Sequence, residues 1–216
     1  MSQDGKFTVK ARFEIGAAKT VAAADMDVTA NTIRIANHGY NTGDALGQTT
    51  TATITGVTSL VTPVYVIQVD ASTIKLATSR ANAFAGTAAD ITAAGTATFR
   101  KGGLGATLSG VIIPKDHYVV NARYLVHTTA TSPTGPDNGT LAISLVAAND
   151  IVSAVSIATG TVWDDTGAQV VGIPLINTVS TYLLTTADSE VTFTTATDSW
   201  TAGKLDLFLD VVPALA

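Results

Sequence analysis

Cysteine is absent from the 216-residue chain. That removes disulfides, thiolate nucleophiles and zinc ribbons together, and it leaves the redox compartment open. Charge is scarce as well: 13% of residues are Asp, Glu, Lys or Arg, about half the share of an ordinary soluble domain. A charged disordered tail, a histone-like protein and a salt-bridged coiled coil are thereby excluded. Basic residues are the scarcer sign, 12 against 17 acidic, for a net charge of −5. Such a balance does not attract a phosphate backbone, so nucleic acid is not an expected partner. No stretch approaches the roughly 18 uninterrupted apolar residues of a membrane span. The opening MSQDGKFTVKARFEIG places charges where a signal peptide needs an apolar segment. A soluble, unprocessed chain without a membrane partner is expected.

What fills the space is threonine and alanine, 36 and 34 residues, nearly a third of the chain. Hydrophobic residues still amount to 46%, and a compact chain of this size hides roughly 70% of its extended surface, enough for one large core or two modest ones. A β-branched Thr loses little rotamer freedom in a strand, and its hydroxyl keeps a wet face soluble without charge. Composition therefore favours a sheet protein.

Periodicity says the same. Phe7, Val9, Ala11, Phe13 and Ile15 alternate with Lys6, Thr8, Lys10, Arg12 and Glu14, one greasy and one wet face of a strand. Residues 117–127 repeat the pattern: Tyr118, Val120, Ala122, Tyr124 and Val126 are placed on one side, with His117, Asn121, Arg123 and His127 on the other. Leu205, Leu207, Leu209 and Val211 alternate with Lys204, Asp206, Phe208 and Asp210, and Leu141, Ile143 and Leu145 with Thr140, Ala142 and Ser144; Val191 and Phe193 among threonines add a short example. Helical expectations are limited to 150–158, with Asp150 as N-cap, and to 79–85.

Between the first strand and the rest lies a block with its own short strands, at 32–36, 52–55, 64–69 and 73–77, separated by Asn37-His38-Gly39 and Thr42-Gly43-Asp44 turns. A single N-terminal strand cannot bury its face alone. The expected architecture is all-β: a jelly-roll-like β-sandwich from residues 1–20 plus 101–216, with a small β-barrel-like domain, 21–100, inserted after the first strand. The glycine-rich KGGLG at 101–105 reads as a hinge at the joint.

Candidate chemistry is thin. Asp165-Thr166-Gly167 is the tripeptide that carries the aspartic-protease carboxylate, but a working site shares a proton between two such aspartates. One copy is present, and its Trp163-Asp164 and Gln169 flanks are not apolar strand. His38, His117 and His127 are the only imidazoles, none at metal-site spacing. KGGLGATLSG lacks phosphate-loop spacing, and the sequon at Asn138-Gly139-Thr140 reads as a hairpin turn. No catalytic, cofactor-binding or metal residue is assigned, and an enzyme is not expected.

The middle block is more specific. IRIANHGYNTGDAL at 33–46 and VYVIQVDASTIKLATSRANAFAGTAADITAAGTATF at 64–99 hold three motifs in order. Asn37, His38, Gly39, Tyr40, Thr42, Gly43 and Asp44 form the first, Tyr65, Val66, Ile67, Val69 and Asp70 the second, and Thr73 to Ser79 the third. Together they resemble a β module that recurs in tailed-bacteriophage virion proteins. GVIIPKDHYVVNARYLVHTT, NDIVSAVSIATGTVWD and LLTTADSEVTFTTATDSWTAGKLDLFLDVV are similar to small phage structural proteins. The resemblance implies a virion structural protein made in the host cytoplasm. Its finer expectation is a decoration or cement protein on the outer capsid surface, with the major capsid protein and itself, as a trimer, for partners. A tail-fibre or baseplate component that recognises a host surface is the alternative, and a glycan depolymerase a third. The resemblance carries no catalytic residues with it.

Overall fold

The computed structural model describes residues 5–48, 54–57, 62–132, 138–157, 166, 169–171 and 182–214. Their strands form three antiparallel sheets. In the first, β1 (Phe7–Glu14) pairs with β16 (Ala202–Pro213), which pairs with β10 (His117–Thr131); β13 (Gln169–Val171) and β14 (Leu183–Leu184) add to β10. The second runs β12 (Val152–Ser156), β11 (Thr140–Ser144), β15 (Ser189–Ala196), β9 (Gly105–Ile113). Their inner faces share one core, in which Ala11, Phe13, Val126, Leu141, Ile143, Val191, Phe193, Trp200, Leu205, Leu207, Leu209 and Val211 are buried. This is the expected β-sandwich. Phe13 sits at its centre, 5.2 Å from the Phe193 ring and edge-on to Trp200 at 5.9 Å.

The third sheet has seven strands, in the order β2 (Lys19–Val21), β8 (Ala97–Lys101), β5 (Ala45–Gln48), β6 (Val64–Gln68), β7 (Thr73–Ala77), β4 (Thr32–Arg34), β3 (Met26–Asp27). It surrounds a separate cluster that includes Ile33, Tyr40, Leu46, Val66, Ile74, Leu76, Ile91 and Phe99. The chain enters this sheet soon after β1 and leaves it at Lys101, whose carbonyl accepts from the Gly16 N–H at 2.9 Å. Residues 52–53 of the expected 52–55 strand lie outside the described residues, and Thr55 makes an isolated bridge with Ala93. β5 escapes the periodicity test because all four of its residues are buried; a strand covered on both faces does not alternate.

Three local expectations are overturned. Residues 152–156 are strand, not helix: Ile151 and Ile157 are fully buried in the sandwich core. The Asp150 carboxylate instead closes a turn, accepting from the Leu145, Val146 and Ala147 N–H groups at 2.7, 2.8 and 2.7 Å. The 79–85 segment does form α1 (Arg80–Phe84), with the Ser79 hydroxyl accepting from the Asn82 N–H. In β10, register shifts fall between Val119 and Asn121 and again after Val126. A bulge adds a residue and reverses which side chains face the core, so Val119, Ala122, Tyr124 and Val126 are buried while Tyr118 and Val120 are not on that inner row. The glycine-rich 101–105 segment is no free hinge. Gly102 donates to the Ala45 carbonyl at 3.0 Å, the Trp200 N–H donates to Gly103 at 2.6 Å, and the Thr195 hydroxyl donates to Gly102 at 3.1 Å. Gly102 and Gly105 adopt φ of +72° and +88°, which lets the chain turn tightly between the sheets.

Candidate functional site

The three motifs of the middle block fold onto one another. His38 is buried, and its Nδ1 accepts from the Tyr40 N–H at 2.9 Å. That leaves Nε2 to donate to the Asp70 carbonyl at 2.8 Å, fixing the tautomer. The rings of His38 and Tyr40 stack at 5.4 Å. Asn37 and Gly39 hold φ of +48° and +69°, a conformation Asn and Gly tolerate. Gly43 donates to Val66, whose own N–H returns to Asp44, and the Thr42 hydroxyl accepts from Gln68. Asp44 also accepts from Asn41 and pairs with Lys101 at 2.8 Å. Burial, with the Asp44 charge behind it and Arg100 opposing, pushes the Tyr40 hydroxyl up to about 12. Ser72 donates to the exposed Asp70 carboxylate and holds it below the ordinary range, against a smaller desolvation effect. Most polar groups of this motif serve the turn itself; Asp44 also reaches out to Lys101, and the Tyr40 hydroxyl is buried without a hydrogen-bond partner among the described residues.

A second constellation lies on the outer face of the β1–β16–β10 sheet. Register places Arg12 opposite Asp206, Lys10 opposite Phe208 and Thr8 opposite Asp210, with Asn121 and Arg123 continuing the rows on β10. Asp206 accepts from Arg12 through both oxygens at 2.7 and 3.0 Å, from Lys10 at 2.7 Å and lies 2.9 Å from His127 Nε2. The Arg12 bond is the largest cause holding its carboxyl far below the usual range; burial opposes, and Lys10 and His127 add to the lowering. The same bond raises Arg12. Asp210 is pushed up by burial, but Thr8 at 2.6 Å, Asn121 at 3.2 Å and Lys6 at 3.3 Å together outweigh it and lower the group. Phe208 lies between the aspartates with Lys10 and Arg123 5.8 and 5.4 Å from its ring, within cation–π range.

The sequence alone assigns Asp206 and Asp210 to the wet face, yet they are 2% and 5% exposed. Their partners on β1 lie some two hundred positions away in the chain, and only strand pairing discloses them. The alternation of cations on one terminal strand and carboxylates on the other was the available signal. His117 and His127 do not share a face: the bulge after Val119 turns His117 toward Phe7, whose ring it meets edge-on at 5.8 Å. Asp165 and Gly167 of the protease-like tripeptide lie outside the described residues, as do Asp164 and Asp137. Among the described residues no group of three His, Asp or Glu side chains is placed to hold a metal ion, and no helix is long and apolar enough to cross a membrane. A small cleft of about 40 Å³ opens between Asp44, Arg80 and Leu108, and a broad depression of about 300 Å³ lies beside Asp25, Asp27 and Arg34.

No family model and no curated protein matches the sequence. Among solved structures, the capsid of Ralstonia phage GP4 is similar over 53% of this chain and 77% of its own, at 15% identity and a TM-score of 0.36. That likeness is too slight to transfer a fold or a role.

Proposed function

We propose that this chain is a phage virion structural protein, and more finely a decoration protein that binds the outer surface of the capsid and stabilises it through symmetric self-association. One observation carries the reading. The three stretches that resemble the virion module, 33–46, 64–70 and 73–79, form one interlocked unit, in which His38 joins Tyr40 to Asp70 and Gly43 joins Val66. This interlocking supports reading the three stretches as one module.

The rest of the molecule is consistent with adhesion rather than catalysis. The most strongly held carboxylates, Asp206 and Asp210, are saturated by cations and polar side chains; a general acid or base needs an open approach to its substrate. Two stacked sheets form a stiff slab, and many weak contacts repeated around a symmetry axis add up to firm attachment. In this reading the main partner is the major capsid protein, and the 21–100 unit projects from the sandwich as an inserted domain. Quantitative mass spectrometry of purified particles, with a low-resolution map, tests it. Hundreds of copies over the shell are expected. Absence from particles overturns the reading, and tens of copies at the tail replace it with the fibre or baseplate alternative.

A further inference from the structure

The sheet face around Phe208 has a charge unlike the rest of the chain. It carries Lys6, Lys10, Arg12, Arg123 and Lys204 against Glu14, Asp206 and Asp210. With these five basic and three acidic residues set aside, the other described residues hold seven basic against ten acidic. Depth sharpens the contrast. The Asp206 and Asp210 side chains are 3% and 7% exposed, whereas Lys6, Lys10, Arg12 and Arg123 are 50%, 48%, 48% and 41% exposed. Solvent meets these four cations and not the two aspartates beneath them, whereas at the Lys204 end the order reverses, with Glu14 53% and Lys204 29% exposed. The buried carboxylates hold the cationic heads in fixed rows, so less side-chain freedom is lost when a partner engages them.

We propose that this face is a self-docking surface that receives an acidic surface of a second copy of the same chain. The occupant follows from charge: a protein that is net positive on one sheet face and net negative over its other described residues is its own electrostatic complement. Lys6 to Arg12 spans about 20 Å along a strand and three strands span about 10 Å. The patch is thus the centre of an interface rather than the whole of one, which needs about 800 Å² per partner. Phe208, flanked by Lys10 and Arg123, supplies the aromatic and Arg anchors common at such centres. A positive face meeting a different, negative face is a heterologous contact, which closes into a ring when the rotation permits. The inference deepens the self-association proposed above and rests on it.

The test is sedimentation velocity of the full chain at about 50 mM and about 500 mM NaCl, where the screening length falls several-fold. It compares the parent with Lys6→Gln/Arg123→Gln. Both contacts of those cations with Asp210 are long, 3.3 and 3.5 Å, and Thr8 and Asn121 remain to hold that carboxylate, so folding is retained; a thermal melt verifies it. Association that weakens about tenfold in the variant and is dissolved by salt, with Lys6→Arg/Arg123→Lys restoring it, is the expected result. Association indifferent to both salt and substitution overturns this face while leaving self-association intact. A parent chain that stays monomeric under every condition overturns self-association as well. Retention of DNA or of intact shells by this face without self-association replaces the occupant and refutes the inference.

Discussion

Replacing Gly47 by Ala tests how rigidly the seven-stranded sheet is joined to the sandwich. Gly47 lies on β5, and a methyl group there would sit 2.7 Å from the Gly103 carbonyl carbon, 2.7 Å from the Leu104 nitrogen and 2.9 Å from the Leu104 Cβ. Two of these atoms are backbone, which cannot swing aside as a side-chain tip does. Ordinary carbon contacts lie at about 3.5–4.0 Å, so β5 and the 103–104 segment must separate by about 0.8 Å. That displacement strains the Gly102 to Ala45 bond of 3.0 Å and the Trp200 to Gly103 bond of 2.6 Å, and it loosens Leu104, which is 1% exposed. Overpacking of this kind costs about 1–3 kcal/mol. For a chain of this length a central value of about 2 kcal/mol lowers Tm by about 4–8 °C. Differential scanning calorimetry reads the shift, and amide exchange at Gly102 and Trp200 locates it. Stability within about 0.5 kcal/mol of the parent, with unchanged exchange at those two amides, refutes the contact and reinstates a hinge.

Acid should expose the role of the buried aspartates. Asp206 and Asp210 both titrate below their ordinary value in the folded chain, so their contribution is full above the unfolded pKa of about 3.9 and is lost as pH falls toward the folded values. Urea midpoints are expected to hold level from neutral pH to about 5 and to fall below about 4, with a shallower fall in Asp206→Asn; equal slopes in the two proteins would show that Asp206 is not the linked group. The domain proposal has its own check. Because Gly16 and Lys101 are hydrogen-bonded, we expect residues 18–99 to be replaceable by a short Gly-Ser linker with the sandwich still folded. A near-UV circular dichroism signal from Trp200 that vanishes in that variant would mean that the two cores fold as one unit.

Local chemistry made much of this protein legible in its sequence. The terminal strands announce themselves because a pleated backbone sends successive side chains to opposite faces, and Phe13, Leu207 and Val211 are buried as their parity requires. Ser79 marks its short helix by the same local logic, a hydroxyl positioned to cap a free N–H. Where the signal failed, the missing information was distant in the chain. The bulge in β10 is imposed by register against β16, and it moves Tyr118 and His117 to faces their spacing does not predict. Asp150 satisfies the turn before it because Ile151 and Ile157 are drawn into the sandwich core.

Parity, turn residues and the lack of charge were enough to determine an all-β chain with a wet Thr-rich surface, since each is a property of neighbouring residues. Which carboxylates became buried anchors, which cations were left facing solvent, and how KGGLG is gripped between Ala45, Thr195 and Trp200 were decided only by the tertiary structure. The reason is physical. Burial and ion pairing depend on what lies across a strand or a sheet, and in this chain that partner is often contributed by the opposite terminus.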